Sequence, residues 1–264
     1  MNIFRYEFRT RLLWSLWFLV GMVGMVGALL AFYPAFSEDV SSFLEYLQAF
    51  PPQFQEAMGL KGLTSFSFAA YLAFSLLYIQ LIGAIMAMHL GMEATSREER
   101  ERTGEFLLTR PVSRWAILSA KTLASGALIL LTDLLFLGSL AAMTGMLGEE
   151  SLLGERVFWL ALGTLPLLQL LYFSAGFLSG SFLGRFPSTL PLTLGVVLGT
   201  FLLGALRGGE AWMSYLSPFQ YFPLQDLIQG EPYSLPHLLT AAAIILGGMG
   251  TGAWRFLTKD FETP

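Results

Sequence analysis

The sequence has no cysteine, only two histidines (His89 and His237) and few charges, with 13% of its 264 residues Asp, Glu, Lys or Arg. Without cysteine there can be no disulfide, no thiolate nucleophile and no cysteine-held metal. Two histidines far apart in the chain do not make a histidine-rich metal site, so no metal site is expected. A P-loop needs Gly-Lys followed by Ser or Thr, with glycine amides wrapped around phosphate. No Gly-Lys pair occurs anywhere. The chain therefore lacks that route to ATP hydrolysis, and any ATP-driven work requires a partner. A soluble domain carries about 25% charged residues, roughly twice the share found here.

What is abundant is apolar: 55% of residues are hydrophobic and the mean hydropathy is +0.61. The apolar runs extend from end to end with no soluble-looking block, which predicts a single membrane domain over residues 1–264. A membrane-spanning helix needs about 20 apolar residues to cross ~30 Å of hydrocarbon. Six runs qualify: 12–33, 66–92, 122–147, 157–180, 188–206 and 237–257. Continuous runs rather than alternation argue against a barrel, and an open sheet cannot satisfy its edge in lipid. The expected fold is an all-α integral membrane protein with six transmembrane helices, multi-pass in the cell (inner or plasma) membrane. The first run follows Arg5, Arg9 and Arg11 without a small-x-small cleavage site, so it reads as a retained signal anchor.

Lys and Arg set the orientation. With the N-terminus in the cytoplasm, the inner segments hold Arg5, Arg9, Arg11, Arg97, Arg100, Arg102, Arg110, Arg114, Lys121, Arg185, Arg255 and Lys259. The outer segments hold Lys61, Arg156 and Arg207. Twelve against three places both termini inside. In the first outer loop Val40, Phe43, Leu44, Leu47 and Phe50 fall at helical spacing ahead of Pro51-Pro52, which predicts a short amphipathic helix. The last outer loop, 207–236, holds Trp212, Tyr215, Phe219, Tyr221, Phe222 and Tyr233. Such rings favour the headgroup level, and short flat helices are expected there.

The inner connection between the second and third runs is the most charged part of the chain. Residues 93–105 lead into Phe106-Leu107-Leu108, Pro111 and Val112 break the helix, and Ser113 can cap the next one ahead of Arg114 and Lys121. This reads as a short amphipathic cytoplasmic helix and a sharp turn, suited to a membrane surface or to a groove in a soluble partner. The plain alternative is a solvated loop obeying the positive-inside rule. Glu98-Glu99 is similar to the glutamate pair of some intramembrane proteases, but it lies in a polar loop and no histidine motif follows.

The ordered set Thr103-Gly104-Glu105, Leu107-Leu108, Pro111-Val112-Ser113-Arg114 and Lys121 resembles the cytoplasmic signature of class-two ABC exporter permeases. The basic segment ahead of the first span resembles that family's interfacial elbow helix, and Leu216–Phe222 resembles its outer segment between the fifth and sixth spans. The run Ser96–Arg102 is more charged than the family pattern. The resemblance implies a permease without catalytic residues of its own. Its coupling helix (Thr103, Gly104, Glu105, Phe106, Leu107, Leu108, Pro111, Val112, Ser113, Arg114) would sit in a cleft of a separate ABC ATP-binding subunit, which holds the ATP and Mg. It also implies a second permease copy or a similar permease as partner, alongside membrane lipid. No nucleic-acid partner is expected. Alternatives are a membrane anchor or assembly factor that binds an ATPase without transporting, and a secondary carrier. A carrier would usually have more spans and inverted repeats.

Three further features stand out. Asp133 is the acid deep in a predicted span, about 18 Å along the helix from Lys121, and its insertion costs roughly 2.5–3.5 kcal/mol. Protonation, water, or a neighbour such as Gln80, Gln169 or Tyr172 should offset that cost. It is a candidate pathway residue, or else a protonated packing residue. Gly176, Gly180 and Gly184 form one small-residue stripe, Gly195 and Gly199 another, and Gly21, Gly24 and Gly27 a tighter one. Such stripes let helix backbones approach closely, within the subunit or at a dimer seam. The resemblance makes Gly195 and Gly199 the stronger seam candidates. Pro166 should kink its span.

Overall fold

The computed structural model describes residues 3–50, 55, 67–101, 112–183, 188–205 and 214–259, and among these there are helices and turns but no strand. In chain order the helices are α1 (Ile3–Glu38), α2 (Val40–Gln48), α3 (Phe68–Arg100), α4 (Arg114–Met146), α5 (Arg156–Phe182), α6 (Leu190–Ala205), α7 (Leu224–Ile228) and α8 (Leu235–Thr258). Five of these are long and apolar enough to cross a membrane: α1, α3, α4, α5 and α8. The sixth expected span corresponds to α6, whose 16 described residues reach about 24 Å at 1.5 Å per residue.

The long helices overrun the apolar stretches that predicted them. α1 is one continuous helix of 36 residues, so no separate interfacial elbow precedes the span among the described residues. The reason lies in the basic segment itself. Glu7 and Arg11 are 5% exposed, and Arg11 donates to Ser125 Oγ (3.0 Å) on α4 and to the Glu93 carbonyl (3.1 Å) on α3. A segment with one face packed in this way continues the helix instead of lying on a surface. The charged run behaves likewise: residues 93–100 are the last turns of α3, with Ala94, Thr95, Ser96 and Glu98 buried. They do not start a new amphipathic helix.

α3 and α5 form the centre. A Cβ added at Gly91 would collide with the backbone of Phe173 and Phe177. One at Gly176 would strike the Met88 carbonyl, and one at Gly180 the Met92 carbonyl and Thr95. The two backbones therefore touch over about two turns, which only missing side chains permit. α1 packs on α3 and α4 through Met22, Val26, Leu30, Leu76, Phe136 and Leu140. α8 lies on α5, where Gly248 meets Ser174 and Gly252 meets Phe177. Leu13, Trp17 and Val20 of α1, Leu130 and Leu134 of α4, and Leu239 and Leu246 of α8 are exposed. An apolar outer face is what a lipid-facing bundle presents.

The helices α2 and α7 and a short 3-10 turn (Pro218–Tyr221) lie in the two connections where short helices were expected. Asp39 caps α2, accepting from the Ser42 amide at 3.1 Å and the Ser41 hydroxyl at 2.9 Å. Hydrogen bonds from the Ser42 side chain and amide, and then from Ser41, hold its carboxyl below the usual range. The aromatics of the 214–234 segment depart from expectation. Phe219, Tyr221 and Phe222 are buried, with Phe219 packed 5.5 Å from the Tyr172 ring and 5.3 Å from the Phe201 ring. They plug one end of the bundle, because ring-on-ring packing and area burial outweigh an interfacial position. Tyr215 remains 44% exposed, and Trp212 lies outside the described residues.

The central contact makes a sharp prediction. Gly176→Ala should destabilise the fold by about 1–3 kcal/mol through backbone displacement. Gly126→Ala, with open space around its Cβ, should be neutral or slightly stabilising. The midpoints of SDS-induced unfolding in mixed micelles check both.

Candidate functional site

The N-terminus of α1, the C-termini of α3, α5 and α8, and the N-termini of α4 and α6 meet at one end of the bundle, where an ion-pair network joins them. Arg11 pairs with Glu7 at 2.9 Å, and Arg97 reaches the same Glu7 at 3.6 Å while its Nε holds Glu101 at 3.0 Å. Arg100 pairs with Glu93 at 2.6 Å. Glu93 also accepts from Thr189 Oγ1 at 3.2 Å, and that hydroxyl lies 3.0 Å from His89 Nδ1. Lys121 is 1% exposed; it pairs with Glu98 and donates to the Ala94 carbonyl at 3.3 Å.

A lysine this deep is tolerable only with a matched acid and further acceptors, since an isolated buried charge costs several kcal/mol. The network supplies both. Breaking a buried pair by removing one member typically costs 3–5 kcal/mol, even where the intact pair adds little net stability. Its effect is therefore to specify one arrangement of helix ends. The sequence led to a short amphipathic cytoplasmic helix here, with a solvated positive-inside loop as the alternative. That reading missed Glu7, Arg11, Glu93, Glu98 and Lys121 as packed residues. A weak signal did exist: Glu7 and Arg11 stand at the i,i+4 spacing of helical pairs.

The expected coupling segment lies between α3 and α4. Thr103, Gly104, Glu105, Phe106, Leu107, Leu108 and Pro111 fall outside the described residues. Val112, Ser113 and Arg114 are described. Ser113 Oγ accepts from the Ala116 amide at 3.2 Å and caps α4. Arg114 donates to the carbonyls of Leu257 (3.0 Å) and Lys259 (2.7 Å). So the segment's two flanks, the end of α3 and the start of α4, both belong to the charged end.

Within the apolar part of the bundle, Asp133 of α4 accepts from Gln169 Nε2 of α5 at 3.0 Å. Gln169 is thus the neighbour that engages the acid. The other two candidates are used elsewhere: Gln80 donates to Thr164 Oγ1 (2.7 Å) and Tyr172 bonds Thr200 (2.6 Å). Asp133 Oδ2 and Gln169 Oε1 are buried acceptors without a donor. A proton on Oδ2 directed at Oε1 would satisfy both at once, closing a reciprocal acid–amide pair. Among the described residues no cluster of His, Asp and Glu suited to a metal ion occurs.

A family model described as ABC-2 family transporter protein matches residues 1–261. The chain belongs to this family. No curated protein and no solved structure matches it. As an ABC-2 family transporter protein it is a membrane transport component, and its long apolar helices are the body of a permease.

The glycine stripes of this ABC-2 family member divide by environment. Gly176 and Gly180 are filled by α3 of the same chain, whereas Gly195 and Gly199 on α6, like Gly21 and Gly24 on α1, face open space. Gly27 meets Met143, and Gly184 lies outside the described residues. Pro166 sits inside α5, which continues past it to Phe182.

The Asp133 pair generates its own test. Asn at 133 supplies both an acceptor for Gln169 Nε2 and a donor for Gln169 Oε1, so Asp133→Asn should match or exceed the native unfolding midpoint. Asp133→Leu strips Gln169 of its partner in an apolar layer and should cost about 1–3 kcal/mol. SDS unfolding of the two variants against the native chain measures the difference.

Proposed function

We propose that the chain is the permease subunit of an ATP-driven exporter, a single transmembrane domain over residues 1–264. In this reading it spans the cell membrane six times, α6 being the shortest span, with both termini and the charged end in the cytoplasm. Residues 103–114 are the coupling segment that seats in a separate ABC ATP-binding subunit, which carries ATP and Mg. Two permeases, either two copies or this chain and a similar one, form the pathway between them. The open Gly195 and Gly199 of α6 lie at their seam. Asp133, paired with Gln169, is the polar point beside that pathway.

The observation that carries this reading is the match of the ABC-2 family over residues 1–261. The charged end supports it. A segment that transmits force must be anchored to the helices it moves, and here α3 on one side is tied by ion pairs to α1, α4 and α8, and α4 on the other is bonded through Arg114 to α8. ATP binding shifts the permease between states only through contacts that differ between them. A soluble subunit can make such contacts with this end.

The test is a pull-down in mild detergent from cells that express the chain and its neighbouring ATP-binding subunit. Tagged native chain should bring down the ATP-binding subunit and its ATPase activity. Glu105→Ala/Leu107→Ala should lose both while purifying in similar yield. Good recovery of the native chain with no ATPase would contradict the proposal and favour a carrier. Recovery unchanged in the variant would move the docking site elsewhere.

A further inference from the structure

The end of α8 stands apart from the rest of the charged end, because it touches both flanks of the segment proposed to couple and also α5. Lys259, one residue beyond α8, pairs with Glu99 in the last turn of α3 and donates to the Ser181 carbonyl (3.2 Å) at the end of α5. Arg114, the first residue of α4, donates to the Leu257 and Lys259 carbonyls at the end of α8. Each of these cations therefore sits on orphan carbonyls at a helix C-terminus, where four C=O groups lack intrahelical partners and the dipole is negative. Ser181 Oγ adds a bond to the Gly252 carbonyl at 3.0 Å, more than a turn back from the end of α8. The contacts bridge 71 to 160 residues of sequence, so local helix formation does not produce them.

The consequence is geometric. Glu99 precedes residues 102–111 and Arg114 follows them. Glu99 is held to the Lys259 ammonium and Arg114 to the Leu257 and Lys259 carbonyls, all at the end of α8, and the same ammonium is held to the Ser181 carbonyl of α5. The two flanks cannot separate, twist or slide independently while the contacts persist. Any force on the intervening residues is passed to α8 and α5 as well as to α3 and α4.

We propose that the C-terminal end of α8 is a clasp that fixes the separation of the two helix ends flanking residues 102–111, with Lys259 and Arg114 as positioning residues for docking of the ATP-binding subunit. The docking part rests on the function proposed above. The clasp itself does not.

The absence of cysteine in the chain makes a direct measurement available. Spin labels at Glu101→Cys and Val112→Cys, in the full chain purified alone, report the distance between the flanks by pulsed dipolar spectroscopy. The native background should give one narrow distribution. Glu99→Gln/Lys259→Met, which removes the pair without leaving a lone carboxylate, should broaden it. Lys259→Arg should keep it narrow, and Arg114→Gln should broaden it by opening the other half of the clasp. A merely stabilising contact would lower the unfolding midpoint without widening the distribution of the folded protein. Narrow distributions in both Glu99→Gln/Lys259→Met and Arg114→Gln would overturn the clasp. A second arm measures recovery of the ATP-binding subunit, which should be lost in the broadened variants and retained in Lys259→Arg. Undiminished recovery by a broadened variant would overturn the positioning role. If the native chain itself recovers no ATP-binding subunit, the proposed function fails, and the distance distribution still decides the clasp.

Discussion

The close approach of α3 and α5 is the constraint on which the remaining structure hangs. Gly91, Gly176 and Gly180 remove the side chains that would otherwise hold the two backbones apart, and the carbonyls of Met88, Met92 and Phe173 occupy the space. In lipid no hydrophobic drive brings helices together, so packing and interhelical hydrogen bonds must do it. Thr95 shows the coupling of the two: its hydroxyl reaches the Phe177 carbonyl at 3.1 Å, beside Gly180. Once α3 and α5 are locked, α1 and α4 complete one side and α8 the other.

That central contact also decides what the charged end can be. α3 does not stop where its apolar run stops, since its packed face continues through Thr95, Ser96 and Glu98. Charges that would be solvated on an isolated helix are thereby carried into a crevice between helix ends. There they must find partners, because an unpaired buried charge costs far more than the pair returns. Lys121 meets Glu98, Glu7 meets Arg97 and Arg100 meets Glu93. The outcome is a rigid, electrostatically specified platform at one end and an aromatic plug, Phe219 with Tyr172 and Phe201, at the other. Under the proposed function this charged end is the one that receives the ATP-binding subunit.

The spans were legible because length and apolarity are local properties. Three of the five long helices contain an apolar run whole, α3 begins two residues inside its own, and α4 ends one residue short of its own. Their ends were not legible, because what extends α1 and α3 is a set of partners distant in sequence, such as Ser125 for Arg11. The same limit explains the glycines. Gly176/Gly180 and Gly195/Gly199 have identical spacing, yet one pair is filled by α3 and the other faces open space; spacing says that a backbone can approach, not which one does. Aromatic content likewise suggested a headgroup belt for Phe219, Tyr221 and Phe222, whereas their burial depends on Tyr172 and Phe201 arriving from α5 and α6. Asp133 was legible as an anomaly, and Gln169 could be named among three neighbours but not chosen. The family pattern around Arg114 drew attention to this connection, though not to the bonds Arg114 makes with α8.

The central claim is that this chain receives a soluble ATP-binding subunit at its charged end. Site-directed photo-crosslinking in native membranes tests it most directly, because the cysteine-free background gives each introduced cysteine a unique label. Phe106→Cys carrying a photoreactive group should crosslink to the ATP-binding subunit, and Tyr215→Cys, at the opposite end, should not. Failure at 106, or an equal crosslink from 215, would contradict the account of which end docks and of what the charged end is for.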